Sequence, residues 1–219
     1  VASDRTRKPK AKTGYHHGDL RRSLMDAALA IVAEGGVSSL SLREAARRAG
    51  VSSAAPYHHF ASLEALAEAL CDEGFEALAA AGVEALAAAG SDAGDRLGAL
   101  GRSYVRFARS HPAHFRLMFS GPSNPAHKLD AERPLASFEQ LVSAVREAQA
   151  QRLAPPGDPT PLVLLAWTVV HGLATLSIDG PLAHPLPGVT ASPAQIDELL
   201  MSTLRSLLAA SAARAHASK

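Results

Sequence analysis

SLREAARRAGVSSAAPYHHFASLEAL, residues 41–66, decides how the chain is read. Ser41 stands three residues ahead of Glu44, the spacing of a capping box: the serine oxygen takes the Glu44 amide and the glutamate reaches back to the Ser41 amide. The short helix so opened turns Leu42, Ala45 and Ala46 inward. It stops at Gly50, where a turn needs a residue that tolerates positive φ, and Val51 plugs the junction beneath. Ser52 offers a second cap, for a helix of about two turns over Ser53 to His59. Ser62 offers a third, for a helix carrying Leu63, Leu66 and Leu70. Two short helices joined by Ala49-Gly50-Val51 have the length and turn of a helix-turn-helix. An ordinary helical hairpin shares that spacing. Against the hairpin, the second helix is too short to add much core, and it displays Ser53, Ala54, His58 and His59 outward. Its small residues Ser53, Ala54 and Ala55 let a backbone approach base edges closely.

Charge points the same way once it is divided. The 219 residues hold 22 Lys and Arg against 21 Asp and Glu, a net of +1 that argues against nucleic acid. Residues 1–70, however, carry ten bases and seven acids, a net of +3, and the remainder nets −2. The first twelve residues alone have five bases and one acid. A solvated tail has the same composition, but an arm beside a helix-turn-helix is placed to follow phosphates or enter the minor groove. A single cysteine, Cys71, excludes an internal disulfide and a Cys-only zinc site and fits a reducing compartment. No apolar run follows Val1 to Lys12, so no secretory signal is expected and the cytoplasm is.

Nearly all the rest reads as helix, with apolar residues recurring at three and four. Asp19 is placed to cap a helix bearing Leu20, Leu24, Ala27, Ala28, Ile31 and Val32, ending at Gly35-Gly36. Residues 79–90 are an Ala-rich helix continuation or linker. Further helices are expected over Leu97 to Ser110, Phe115 to Phe119 and Leu135 to Leu153, with a loop over Gly121 to Lys128. Ala154-Pro155-Pro156-Gly157 breaks the chain again. After the loop from Pro181 to Pro193, the last helix carries Ile196, Leu199, Leu200, Leu204, Leu207 and Leu208. The uncharged stretch Pro159 to Ile178 is long enough to span a membrane. Its prolines, His171, Thr168, Thr175 and Ser177, and flanks of Asp158 and Asp179 without Lys or Arg, exclude that reading. A helix apolar all round is instead buried on more than one side. A homodimer through the helices near 159–178 and 194–210 accounts for both faces.

Residues 16–70 strongly resemble the DNA-binding domain of the TetR/AcrR family of transcriptional regulators. The resemblance rests on Ser41, Ala45-Ala46, Ala49-Gly50-Val51-Ser52, Tyr57 and Phe60, and on Glu64 and Leu66 beyond. The second half is similar to the subgroup with a Trp-His-Gly (WHG) type C-terminal domain, here spread as Trp167-x-x-x-His171-Gly172. HPAHFRLMF at 111–119 and YHHGDLRRSL at 15–24 agree with it. The resemblance implies an all-α fold: a basic arm over 1–14, a helix-turn-helix domain over 15–62, and a helical effector-binding and dimerisation domain over 63–219, with the helix at 63–80 connecting the two.

It also implies roles. Ser41 and Arg43 bind backbone phosphates of a pseudo-palindromic double-stranded operator. Ser52, Ser53, Ala54 and Ala55 open the recognition helix and face the major groove, and Tyr57, His58 and His59 lie near phosphates. Two departures stand out: Leu63 occupies a position where the family often has Lys, and Pro56 lies inside the recognition helix. Neither Ser53 nor the two alanines supplies a bidentate base contact, which leaves thymine methyls, water, Arg43 or Arg48 at the edge, and DNA shape.

For the second domain, Phe107, His114, Phe115, Met118, Phe119, Phe138, Trp167 and His171 are the candidate lining of a pocket for an apolar small-molecule effector; plain core packing is the alternative. No cofactor and no metal site is expected. His111-x-x-His114 has no second ligand pair near it in sequence, and no nucleophile-elbow, zincin, P-loop or dinucleotide motif occurs. The function expected is a homodimeric, ligand-released repressor without enzymatic activity. The competing reading is a helical small-molecule-binding or scaffolding protein with a non-functional DNA-binding head.

Overall fold

A computed structural model describes residues 17–119, 136–183 and 192–217. The arm over 1–14 and the loop over 121–128 lie outside the described residues. Those described form eight α-helices and no strand. Three make the head: α1 (His17–Gly35), α2 (Leu42–Arg48) and the first turns of α3 (Leu63–Ala88). The body adds α4 (Ala93–Ser110), α5 (Pro112–Phe119), α6 (Ala136–Ala150), α7 (Thr160–Ile178) and α8 (Pro193–Ala217).

Local chemistry explains most boundaries. The Ser41 oxygen accepts the Glu44 amide at 3.2 Å and the Ser62 oxygen the Ala65 amide at 3.3 Å, capping α2 and α3. Asp92 caps α4 through the Asp95 amide, which moves its start four residues ahead of the expected Leu97. Pro112 sits in the first turn of α5, where a missing amide is harmless, so α5 begins there rather than at Phe115. The Ala-rich stretch continues α3 to Ala88 without a break.

Three expectations are corrected. Asp19 does not cap α1, because the helix already runs from His17 and Asp19 falls in its first turn. The capping box at α2 is only half made: Arg47 and Arg48 hold the Glu44 carboxylate. The recognition element is not a two-turn α-helix over 53–59 but a 3-10 turn over Ala55–His58. Pro56 causes the change. An α-helix entered at Ser52 needs the amide of residue 56 on the Ser52 carbonyl; proline has none, and that carbonyl takes the Ala55 amide at 3.0 Å instead. Proline also disfavours α geometry at the residue before it.

The head core joins Leu24, Ala28, Ile31 and Val32 of α1 to Leu42 and Ala45 of α2, Phe60, and Leu66, Leu70 and Cys71 of α3. Ala113 and Leu117 of α5 complete it. The opposite side of α5 sends Phe115 and Met118 into a second core with Phe75, Leu78, Phe107 and Ala174. One helix is thus shared between head and body. At the junction, Glu73 of α3 accepts from Arg22 of α1, and its other oxygen lies 2.9 Å from His114 Nε2 of α5.

α7 is long and apolar enough to cross a membrane, yet Val163, Ala166, Val170, Leu173 and Ala174 are buried against neighbouring helices. In α8 the expected stripe divides. Met201, Leu204 and Leu208 are buried, whereas Leu199 and Leu207 are 60% and 58% exposed.

Gly50 has φ +71, as its place in the turn requires, with open space around it. Gly50→Ala is expected to lower stability by about 1–2 kcal/mol through left-handed strain alone, read as a lower urea midpoint with an unchanged slope. A second expectation concerns Glu73. Burial works to raise its pKa, but Arg22 and His114 outweigh that and hold it below the ordinary value. A depressed carboxylate stabilises above its unfolded pKa and loses that contribution as pH falls through the folded value. The melting-temperature gap between wild type and Glu73→Gln should therefore be present at neutral pH and close on acidification below about pH 4.5.

Candidate nucleic-acid interface and effector site

The recognition turn is short, polar outside and anchored inside. Pro56 and Phe60 are buried, while Ser52, Ser53, Ala54, Tyr57 and His58 are exposed, Tyr57 to 61%. Ala55 and His59 are half-buried at its margins. Ser41 opens α2 beside it. With its oxygen accepting from Glu44, the Ser41 hydroxyl still has its own proton to donate. Arg43, one residue into α2, is exposed and has no ion pair among the described residues. The structure therefore turns most of the expected contact residues to solvent around the turn.

Arg48, expected at the edge of the groove, is committed elsewhere. Its guanidinium meets both oxygens of Glu34 at 2.8 Å and also reaches Glu44, tying α2 to the end of α1. Hydrogen bonds from Arg47 and then Arg48 hold the Glu44 carboxyl down to about 2. A cation missed by sequence reasoning is Arg21. Its guanidinium lies 5.2 Å over the Phe60 ring and donates to the Met25 sulfur, which holds it next to the recognition turn. Thirty-nine residues separate Arg21 from Phe60, so no local pattern announces the pair.

In the body, five of the eight expected lining residues meet. His171 lies among four rings, with centroids at 4.7 Å from Phe119, 5.4 Å from Phe115, 5.5 Å from Trp167 and 6.3 Å from Tyr104. Phe138, exposed on α6, stands edge-on to Trp167 at 6.5 Å. Tyr104 and Phe75, outside the expected lining, complete the cluster, Tyr104 by a 2.9 Å hydrogen bond to His171 Nδ1. Phe107 and Met118 pack in the same core as Phe115, against which Phe119 and Tyr104 lie, Phe107 also stacking on His111 and Met118 lying at Gly74, while His114 faces Glu73. A separate groove of about 550 Å³ runs between α3 and α4, floored by Ala77, Ala81 and Ala85 and bordered by Arg102, Arg106 and Phe107. Cys71 is buried in the head core, and burial pushes its thiol up to about 12, against a redox role.

Residues 24–70 match the bacterial regulatory protein, tetR family, and residues 97–207 the Tetracyclin repressor-like, C-terminal domain. No curated protein matches the chain. A Rhodococcus sp. RHA1 protein with unknown function is 37% identical, aligning over 90% of this chain and 100% of its own, with a TM-score of 0.74. The TetR family transcriptional regulator PfmR from Thermus thermophilus shares the fold at 23% identity, over 84% of this chain and 93% of its own, with a TM-score of 0.60. AibR, solved in complex with isovaleryl coenzyme A and operator DNA, shares it at 17% identity, over 86% and 97% respectively, with a TM-score of 0.59. With both halves of the chain matched and the fold held in common, the protein belongs to the TetR family, as a DNA-binding transcriptional regulator that is not an enzyme.

Proposed function

We propose that the chain is a cytoplasmic homodimeric repressor that an apolar small molecule releases from a pseudo-palindromic operator. The observation that carries this reading is the shared helix α5. It puts Phe115 and Phe119 in the ring cluster, Leu117 in the head core, and His114 on the Glu73 carboxylate that also holds Arg22 of α1. A ligand that moves the rings moves the part that positions the head. Dimerisation is supported by the outer faces of α7 and α8. There Leu164, Leu165, Leu176, Leu199 and Leu207 are exposed together with Leu200, large apolar side chains of the kind that a partner covers when they are gathered on one face. Two heads then present Ser41, Arg43 and Arg21 as phosphate contacts. The small residues Ser53, Ala54 and Ala55 approach the groove floor, Tyr57, His58 and His59 lie along its wall, and the arm over 1–14 adds charge.

Operator binding by the full chain to DNA from its own upstream region tests the reading. Affinity should fall steeply with salt, several phosphates being neutralised per dimer. Arg43→Ala and Arg21→Ala should each weaken all sequences about equally and reduce the salt slope, by about 1 for each phosphate no longer neutralised. A folded protein with no salt-dependent operator binding would overturn the regulator mechanism. Leu199→Glu combined with Leu207→Glu should sediment as a folded monomer and lose operator affinity. A variant that stays dimeric places the interface elsewhere.

A further inference from the structure

Non-specific attraction to DNA is almost wholly a matter of cations on phosphates, so the arginines of the head and their partners bear on selectivity. Residues 17–62 hold five of them: Arg21, Arg22, Arg43, Arg47 and Arg48. Arg22 is taken by Asp26 and Glu73, and Arg48 by both oxygens of Glu34. Arg21 lies over the Phe60 ring. The Arg47 side chain is 70% exposed, yet it binds Glu44 twice, through Nε at 2.7 Å and Nη2 at 2.6 Å. The same carboxylate takes Arg48 Nε at 2.9 Å.

Placement within α2 gives this pairing its meaning. Arg43 and Arg47 stand four residues apart, on one flank of the helix, with about 5–6 Å between their Cβ atoms. Both are exposed. Two acids, Glu34 and Glu44, and two bases, Arg47 and Arg48, form one network without net charge. Held down to about 2 by the two arginines, the Glu44 carboxyl stays ionised throughout the neutral range. Exposed ion pairs of this kind add little stability. What the network changes is the field. Without Glu44, α2 would present a second cation to any phosphate, one turn from the first. With it, that cation is cancelled, and a negative charge stands next to Arg43 in the helix.

We infer that Glu44 is a specificity-determining residue: by holding Arg47 it withholds a further phosphate contact from DNA in general, and so preserves the operator's advantage over other sequences. The inference rests on the regulator reading above, in which Arg43 meets a phosphate, and adds what limits binding elsewhere. Glu44 touches no DNA itself; it acts by positioning Arg47. The gain from a freed Arg47 would be unequal. On non-operator DNA the phosphates are nearly the whole attraction, and the head is free to shift until Arg47 reaches one. On the operator the groove fixes the head, and Arg47 gains only where a phosphate already stands.

Glu44→Gln keeps the size of the side chain and the Ser41 cap, which uses the backbone amide of residue 44. The full-length protein is titrated over a range of salt with its upstream DNA and with a scrambled duplex of equal length. In Glu44→Gln, affinity for the scrambled duplex is expected to rise about tenfold at about 0.1 M salt, with a slope steeper by about 1 for each phosphate gained. The operator-to-scrambled ratio should fall. Arg47→Ala alone should leave the slope at its wild-type value, unlike Arg43→Ala. Glu44→Gln combined with Arg47→Ala should restore both slope and ratio, which a merely structural role for Glu44 would not allow. Circular dichroism checks each fold, and Arg47→Ala decides if Glu44→Gln does not fold. A slope and ratio unmoved in folded Glu44→Gln, a loss of affinity for both duplexes, or a slope lowered by Arg47→Ala alone overturns the inference. Absence of salt-dependent operator binding by the wild type removes the parent reading and this one with it; operator binding with an unmoved ratio removes this one alone.

Discussion

α5 lies against α3 so closely that a Cβ at Gly74 would stand 2.6 Å from Met118 Sδ and 3.4 Å from His114 Cβ. Most of the architecture hangs on that approach. Only glycine permits it, because Met118 is wholly buried and has no room to retreat. Once α5 is seated there, its helical period distributes its side chains among three destinations. Ala113 and Leu117 enter the head core, Phe115 and Met118 the body core, and His114 reaches the residue next to Gly74, Glu73. Arg22 then links α1 to the same carboxylate. Head and body are not two beads on a linker; they share a wall.

α4 organises the body in a related way. Gly101 brings it close to Met201 of α8 and Val170 of α7, since a Cβ there would lie 2.7 Å from the Met201 sulfur and 3.2 Å from Val170. Arg109 then binds both oxygens of Asp197, at 2.6 and 2.9 Å, and the Ser177 hydroxyl, while Arg205 reaches back from α8 to Asp95. These pairs are partly exposed, so each contributes little stability. Their value is orientation. They fix which side of α8 faces inward, and so leave Leu199 and Leu207 facing out, as Leu164 and Leu165 do on α7.

What sequence reveals and what it hides follow the same physical division. Caps at Ser41 and Ser62, the turn at Gly50, the buried Phe60 and the helical class are properties of a few neighbouring residues, and these are legible. The recognition turn is misjudged although its cause, Pro56, is in view, because counting helix residues gives too little weight to one missing amide at the fourth position. The stripe on α8 reads as a single face, since periodicity cannot separate residues buried at home from residues left uncovered. Tyr104, Phe75 and Arg21 escape for a different reason. Each acquires its partner from another helix, and nothing in its own neighbourhood marks it. His114 is turned from the rings by helix phase: it faces Glu73 at the junction, although its neighbour Phe115 reaches His171.

The short recognition turn and the committed Arg48 bear on how DNA is read. A 3-10 turn built on proline is stiff, and Phe60 anchors its end, so little conformational entropy remains to be lost on docking. Ahead of Tyr57 and His58 its leading edge offers no long side chain: Ser53, Ala54 and Ala55 reach base edges only if the backbone comes very near. Under the proposed function such an approach would depend on the width and bending of the groove more than on a hydrogen-bond pattern, which would put selectivity into the position of the head. That position is governed by α1, and α1 is held by Arg22 on Glu73 and by Ala113 and Leu117 beneath it. An eight-residue helix spans only about 12 Å and bends little. A displacement of Phe119 at its end would be carried almost undiminished to His114 and Leu117. Under the proposed function, a regulator that reads shape through placement would be sensitive to small movements of α5, and would need no large rearrangement to leave its site.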